Sequence, residues 1–307
     1  MLSSVRDAIA EVNASNLKAY LKNLEGLRHG WENYDNLVQK ALYIEDTLRS
    51  FGLPVELQEV PFHGREYQNI IASIQGINKE RELVLLGAHY DAAWGSPGAD
   101  DNASGVAVLL EAARIMGKHD SERTIQFVAF TLEEPQAQTI HFLIGSDHFA
   151  RQARKAGQKY ESVIILESVG YTDNSEGSQS VPLAVRASVP EKGNFLGIIA
   201  NNKSGRIMEL FTALAGEHVP ELTVVPYKVP LSGRFMPETR FSDHASFWNR
   251  NYPAVMLTDT AMFRNPHYHT PRDRSETLDF DFMTNVTKAV ISVLLSQDSK
   301  TRIDFSD

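Results

Sequence analysis

No cysteine occurs among the 307 residues, so the chain has neither disulfides nor a thiolate for catalysis or metal binding. Any transition metal it binds must be held by imidazole and carboxylate. Long apolar runs are also missing, and no stretch approaches the roughly 18 residues of a membrane span. An excess of basic charge is missing too. The 30 Lys and Arg residues face 39 Asp and Glu, and the net charge of −9 argues against nucleic acid or an anionic membrane as the main partner. Met1-Leu2-Ser3-Ser4-Val5-Arg6-Asp7 lacks the basic-then-apolar order of a secretory leader. That suits a cytoplasmic protein, and equally an exported one whose leader has been removed. There is no internal repeat and no low-complexity tract.

What is present reads as one α/β domain over residues 1–307. A hydrophobic share of 42% with 22% charged residues is enough to fill a single core. Val5, Ile9, Val12, Leu17, Tyr20, Leu21 and Leu24 recur at helical spacing, as do Leu37, Ala41, Ile44, Leu48 and Phe51. Residues 1–52 therefore predict two helices, ended by Gly52 and Pro54. Val55 to Val60 alternates as a half-exposed strand does, and Gln68 to Ile74 and Leu83 to Gly87 follow as strands. Helix 103–116, strand 124–131, helix 145–156 and strand 162–166 continue the alternation that builds a mostly parallel sheet with helices on both faces. Residues 171–240 read as an irregular segment covering the site and carrying a helix near 204–217. Strand 253–257 and helix 278–295 close the fold.

Chemistry-bearing residues collect just beyond the predicted strands, where ligands bind in open α/β sheets. His89-Tyr90-Asp91 and the loop Gly98-Ala99-Asp100-Asp101-Asn102-Ala103-Ser104-Gly105 follow one strand. Glu133-Glu134 follows a second, Glu167 a third, and Tyr268-His269-Thr270 lies near the end of the chain. Each piece alone has an ordinary reading: a surface His-x-Asp, a turn with a helix cap at Asp100-Asp101-Asn102, a solvated Glu pair, a proline-bounded loop. Together they would crowd one sheet edge with uncompensated negative charge unless a cation balanced it.

These residues resemble peptidase family M28, the two-zinc aminopeptidase-like exopeptidases, over about 68–298. Ser242-Asp243-His244-Ala245-Ser246-Phe247 and Gly145-Ser146-Asp147-His148 resemble family segments as well. The resemblance implies a zinc-exopeptidase fold and two Zn2+ ions, with other divalent metals as alternatives. His89 and Glu167 would hold one ion, Glu134 and His269 the other, and Asp101 would bridge them. Asp91 would orient His89 from behind the metal. Glu133 would be the general base, and Tyr268 either an oxyanion donor or an aromatic packing residue. The resemblance also implies a cis peptide bond between Asp101 and Asn102.

The implied reaction is removal of N-terminal residues from peptides by a metal-activated water. A carboxypeptidase or dipeptidase is the nearer alternative and needs cations for a substrate carboxylate, with Arg234 and Arg240 as candidates. A single-zinc glutaminyl cyclase is a further one. Glu167 stands where many family members carry Asp. Residues 135–144 form an insertion in which His141 lines the entrance or faces solvent. His267 competes with His269 as ligand. Asn102-Ala103-Ser104 has the form of a glycosylation sequon, inside the metal loop. Side-chain preference and oligomeric state are not legible.

Overall fold

The computed structural model describes residues 5–136, 141–181 and 189–298. An all-apolar strand is buried on both faces, and here that fixes the centre of the sheet. β3 (Leu83–His89), β4 (Ile125–Phe130), β5 (Tyr160–Glu167) and β8 (Ala254–Thr258) pair in parallel in the order β4-β3-β5-β8. All four carboxyl ends point the same way. At one edge a hairpin, β1 (Val55–Phe62) and β2 (Arg65–Ile74), adds two antiparallel strands beside β4. At the other, β6 (Leu196–Ala200) runs antiparallel to β8 and parallel to the edge strand β7 (Val224–Lys228). The whole is an eight-stranded mixed sheet of order β1-β2-β4-β3-β5-β8-β6-β7.

Helices cover both faces, as the alternating pattern requires. α1 (Val5–Ala10), α2 (Ala14–Leu24), α3 (Tyr34–Ser50), α4 (Gly105–Met116), α6 (Gly205–His218) and α8 (Phe280–Asp298) pack the larger core on one face. α5 (Ile144–Lys155) and α7 (His244–Trp248) cover the other, where Phe130, Phe149, Phe247 and Tyr252 form an aromatic cluster.

Two expectations need correction. The first predicted helix is two helices, because Asn13 caps α2 by accepting the Ser15 N–H at 2.8 Å. The apolar spacing runs through this break, which is why Val12 and Leu17 read as one helix. Residues 171–240 are also more regular than expected: besides α6 they supply β6 and β7, which widen the sheet. Both strands are five residues long and sit among Gly, Pro and Ser, so alternation has too little length to register.

Candidate metal centre

The four parallel strands end at one rim, and the loops leaving them carry the candidate ligands. His89 is the last residue of β3 and Glu167 the last of β5. Glu133 and Glu134 follow β4, and Asp101 lies in the kinked turn Ala99–Ser104 that leads into α4. His269 arrives from the connection between β8 and α8. The backbone is held in left-handed conformations at Leu132 (φ 53°), Ser168 (φ 48°) and His269 itself (φ 57°). Each is a non-glycine residue next to a candidate ligand or is one, the strained placement that packed functional sites sustain.

Asp101 joins two clusters. Its Oδ1 lies 3.1 Å from His89 Nε2 and its Oδ2 lies 2.9 Å from His269 Nε2. On the His89 side stand Glu167 Oε2 at 3.5 Å and Glu133 Oε2 at 3.8 Å. On the His269 side stands Glu134 Oε1 at 3.2 Å. His89, Glu133 and Glu167 form one group able to hold a metal ion and Asp101, Glu134 and His269 another, with the donor atoms of each group within 4.8 Å of one another. All five sequence-expected ligands are brought together, and Glu133 joins them as a sixth group. His267 stays outside both groups and packs its ring edge-on against Tyr171, 6.2 Å away.

Several buried atoms of the cluster have no hydrogen-bond partner: His89 Nε2, Asp101 Oδ1 and Glu134 Oε1. Buried polar atoms in folded proteins are nearly always satisfied, so a cluster of exceptions facing one space calls for a cation. Imidazole nitrogens with carboxylate oxygens and no sulfur are a donor set that suits zinc and similar divalent ions. The residues fit.

The charges of the metal-free cluster lean on each other. Burial works against protonation of His89, but Glu133, Glu167, Asp101 and Asp91 outweigh it and raise its pKa well above the ordinary value. His269 behaves likewise, lifted to about 11 by Asp101 and Glu134 despite its burial. Burial also opposes ionisation of Asp101, yet its two histidine partners hold the carboxyl far below its usual range. Burial, with Asp101 next to it, pushes Glu134 up to about 7. Glu133 and Glu167 are raised by burial too. A site that must borrow protons to stay neutral is one a divalent cation would discharge.

Around the cluster, Asp91 ties two loops together. Its Oδ1 lies 3.4 Å from His89 Nδ1, and its carboxylate accepts the backbone N–H groups of Glu133 (3.0 Å) and Glu134 (3.1 Å). Asn102 is fully buried, donates to the Leu166 carbonyl and accepts from Gly105 and Ser168, so the sequon is closed to glycosylation in the folded chain. The peptide bond between Asp101 and Asn102 is cis. Gly98 sits at φ 60°, and a Cβ there would lie 2.4 Å from the Asp101 carbonyl and 2.8 Å from Arg28 Nη2.

The sequence reading missed several supporting groups. Ser242 donates to Glu167 Oε2 at 2.7 Å. Asp273 accepts the backbone N–H groups of Asp100 (2.8 Å) and Asp101 (3.2 Å). Asp100 and Asp259 are both buried behind the loop, and burial raises both carboxyls. Asp243 is fully buried, which lifts its carboxyl to about 7. Ser242-Asp243-His244 was the one of these stretches marked by resemblance, and nothing in its spacing assigns it a task.

An apolar cavity of about 120 Å³ opens beside Glu167 and Tyr268. Strand register builds it: Gly197 and Ile199 of β6, Val225 and Tyr227 of β7, and Met256 and Thr258 of β8 are cross-strand partners on one face. Met236, Phe241 and Phe263 close it, and Tyr268 stacks on His269 with ring centroids 3.8 Å apart. Among the described residues, the charged ones lining it are Glu167 and Glu238. Arg240 is engaged elsewhere, donating to the Ser232 carbonyl and to Asn249. Arg234 and Arg240 are both absent from the cavity wall. His141 is exposed, and residues 137–140 of the insertion lie outside the described residues.

Comparison with known proteins yields one family. The model of peptidase family M28 matches residues 69–294. The uncharacterized protein YfbL of Escherichia coli (strain K12) is 35% identical over 273 residues, covering 86% of this chain and 81% of that protein. A probable leucine aminopeptidase of Arthroderma otae is 25% identical over 310 residues, covering 95% and 74% of the two chains. The fold superposes on the LapA aminopeptidase of Legionella pneumophila with a TM-score of 0.74 at 20% identity, covering 97% and 75% of the two chains. It superposes on a Bacteroides thetaiotaomicron glutaminyl cyclase with a TM-score of 0.70 at 20% identity, covering 92% and 97%.

Proposed function

The chain belongs to peptidase family M28, and from that premise we propose that it is a metal-dependent aminopeptidase that removes apolar N-terminal residues from peptides. The observation that carries this reading is the two-sided Asp101, one oxygen toward His89 and the other toward His269, beside an apolar cavity whose charged groups, among the described residues, are carboxylates. His89 and Glu167 would hold one divalent ion, Glu134 and His269 the other, with Asp101 shared between them. Bound there, the ions would acidify water and polarise the scissile carbonyl.

The remaining steps belong to the chain's own groups. Glu133 lies farther from His89 Nε2 than Asp101 or Glu167 does, at 3.8 Å against 3.1 and 3.5 Å, which favours its use as a base over its use as a ligand. From there its carboxylate can take a proton from the attacking water and return it to the leaving amine. Tyr268, kept neutral by burial among carboxylates, remains a hydrogen-bond donor at any physiological pH and can donate to the developing oxyanion. Glu167 and Glu238 suit a substrate ammonium, and the cavity suits one aliphatic or aromatic side chain. A carboxypeptidase would need a cation for the substrate carboxylate, and among the described residues this lining has none.

The names of relatives, among them the Arthroderma leucine aminopeptidase, support the same reading. The cyclase neighbour supports the fold alone, and the full pair of donor groups here favours two ions over one. The test is release of leucine from a leucyl anilide before and after chelation, beside an N-acetylated leucyl anilide and a peptide beginning with glutamine. The reading requires metal-dependent cleavage of the free leucyl substrate and none of the blocked one. Loss of ammonia from the glutamine peptide without cleavage would contradict it.

A further inference from the structure

Arg28 lies in the connection between α2 and α3, far along the chain from every candidate ligand, and its side chain is entirely buried. Its guanidinium spends its donors on backbone carbonyls. Nε donates to Tyr90 (2.7 Å), Nη1 to Pro97 (2.5 Å) and Gly26 (3.1 Å), and Nη2 to Gly98 (2.7 Å). Tyr90 stands between His89 and Asp91, and Pro97-Gly98 opens the turn that carries Asp101. One planar group thus spans the two loops that hold the first candidate ligand and the shared one.

Burying a guanidinium is costly unless charge and hydrogen bonds offset it. The charges that offset it here are Asp273, Asp91, Asp101 and Glu134, all four at the candidate metal centre or tied to its loops. Gly98 permits the contact, since its Cβ position lies 2.8 Å from Nη2. A residue kept only for packing would need neither the fork nor the charge.

We propose that Arg28 is a positioning residue for the metal centre: it fixes the spacing of the His89 and Asp101 loops before metal arrives, so that the ion meets a formed site. The proposal rests on the metallopeptidase reading above. It assigns to the N-terminal segment, which lies outside the matched 69–294 region, a part in metal affinity.

The test compares Arg28→Lys, which keeps the charge and loses the fork, and Arg28→Met with the control Glu25→Gln. Glu25 anchors the same connection to Arg274 and Ser275 and touches neither metal loop. Zn2+ affinity is read by competition with a chromogenic chelator. Melting temperature and hydrogen exchange of residues 89–104 are read on the metal-free proteins.

The expected result is a 10–100-fold loss of Zn2+ affinity in both Arg28 variants, the range seen when partners of metal ligands are removed. Exchange at 89–104 should quicken in the metal-free Arg28 variants, while Glu25→Gln melts lower with its affinity unchanged. Arg28→Lys decides the matter alone should Arg28→Met not fold. Unchanged Zn2+ affinity and exchange in Arg28→Lys, with only a lower melting temperature, would overturn the proposal and leave the peptidase reading standing. A wild-type chain that takes up no Zn2+ would overturn both.

Discussion

Asp101 shows how much one residue can carry when every atom of it is used. Its backbone N–H is held by Asp273, its carbonyl closes against Gly98, and its two carboxylate oxygens face two histidines. Such a residue reads in the sequence only as part of a turn, because Asp before Asn is common wherever a helix begins. His244 is a different kind of buried group, with no part in metal binding. Its Nε2 meets the Thr239 carbonyl at 2.9 Å, its ring packs on Trp248, and burial lowers its pKa to about 4 from the ordinary 6.5. The unfolded chain therefore takes up this proton near pH 6.5 and the folded chain only near pH 4. Unfolding binds a proton across that window, so stability falls as pH drops through it, by about 2 kcal/mol at pH 5. His244→Gln keeps an N–H for Thr239 and removes the titration. Urea unfolding at pH 7 and pH 5 should show the metal-loaded variant losing about 2 kcal/mol less than wild type over that interval. Equal losses would show that His244 does not titrate in that window.

At the scale of elements, most of the sheet was legible because its strands are long or wholly apolar. Leu83 to Gly87 reads as a central strand and is one, since five residues without a solvated side chain need cover on both faces. β6 and β7 were missed, and with β8 they build one wall of the apolar cavity, so side-chain preference was illegible for the same reason. The cavity exists only once Gly197, Ile199, Val225, Tyr227, Met256 and Thr258 come into register, a property of pairing that no single segment carries. Ile199 is central to that face. Ile199→Phe should fill part of the cavity and lower kcat/KM for an N-terminal leucine about tenfold or more while sparing N-terminal alanine, as a few methylenes are worth in an apolar pocket. Parallel losses for both substrates would mean that the cavity is not where the N-terminal side chain sits.

For the whole molecule, the design is a mixed sheet whose parallel centre aims histidines and carboxylates at one rim and lets strained loops finish the geometry. The candidate ligands were legible because residue types with metal-binding chemistry recur after successive strands, and resemblance supplied the roles proposed for them. The braces were not: Arg28 and Asp273 act through backbone atoms, which leave no mark on the side-chain pattern. With like charges so gathered, metal should stabilise the entire fold. Free Zn2+ at a hundredfold above its dissociation constant should add about 2.7 kcal/mol, a rise of several degrees in melting temperature for a chain of this size. A melting temperature indifferent to chelation and re-addition would mean that the folded chain holds no metal.

The measurement that bears most directly on the account pairs metal content with turnover in Glu133→Gln and Glu134→Gln. If Glu133 is the base, its amide variant should keep both ions and leucyl-substrate binding while turnover falls by about two to four orders of magnitude. Glu134→Gln should lose metal, because a neutral amide is a poor ligand where a carboxylate stood. Metal lost from Glu133→Gln and retained by Glu134→Gln would reverse the two roles, and full turnover in both would contradict the proposed hydrolytic mechanism itself.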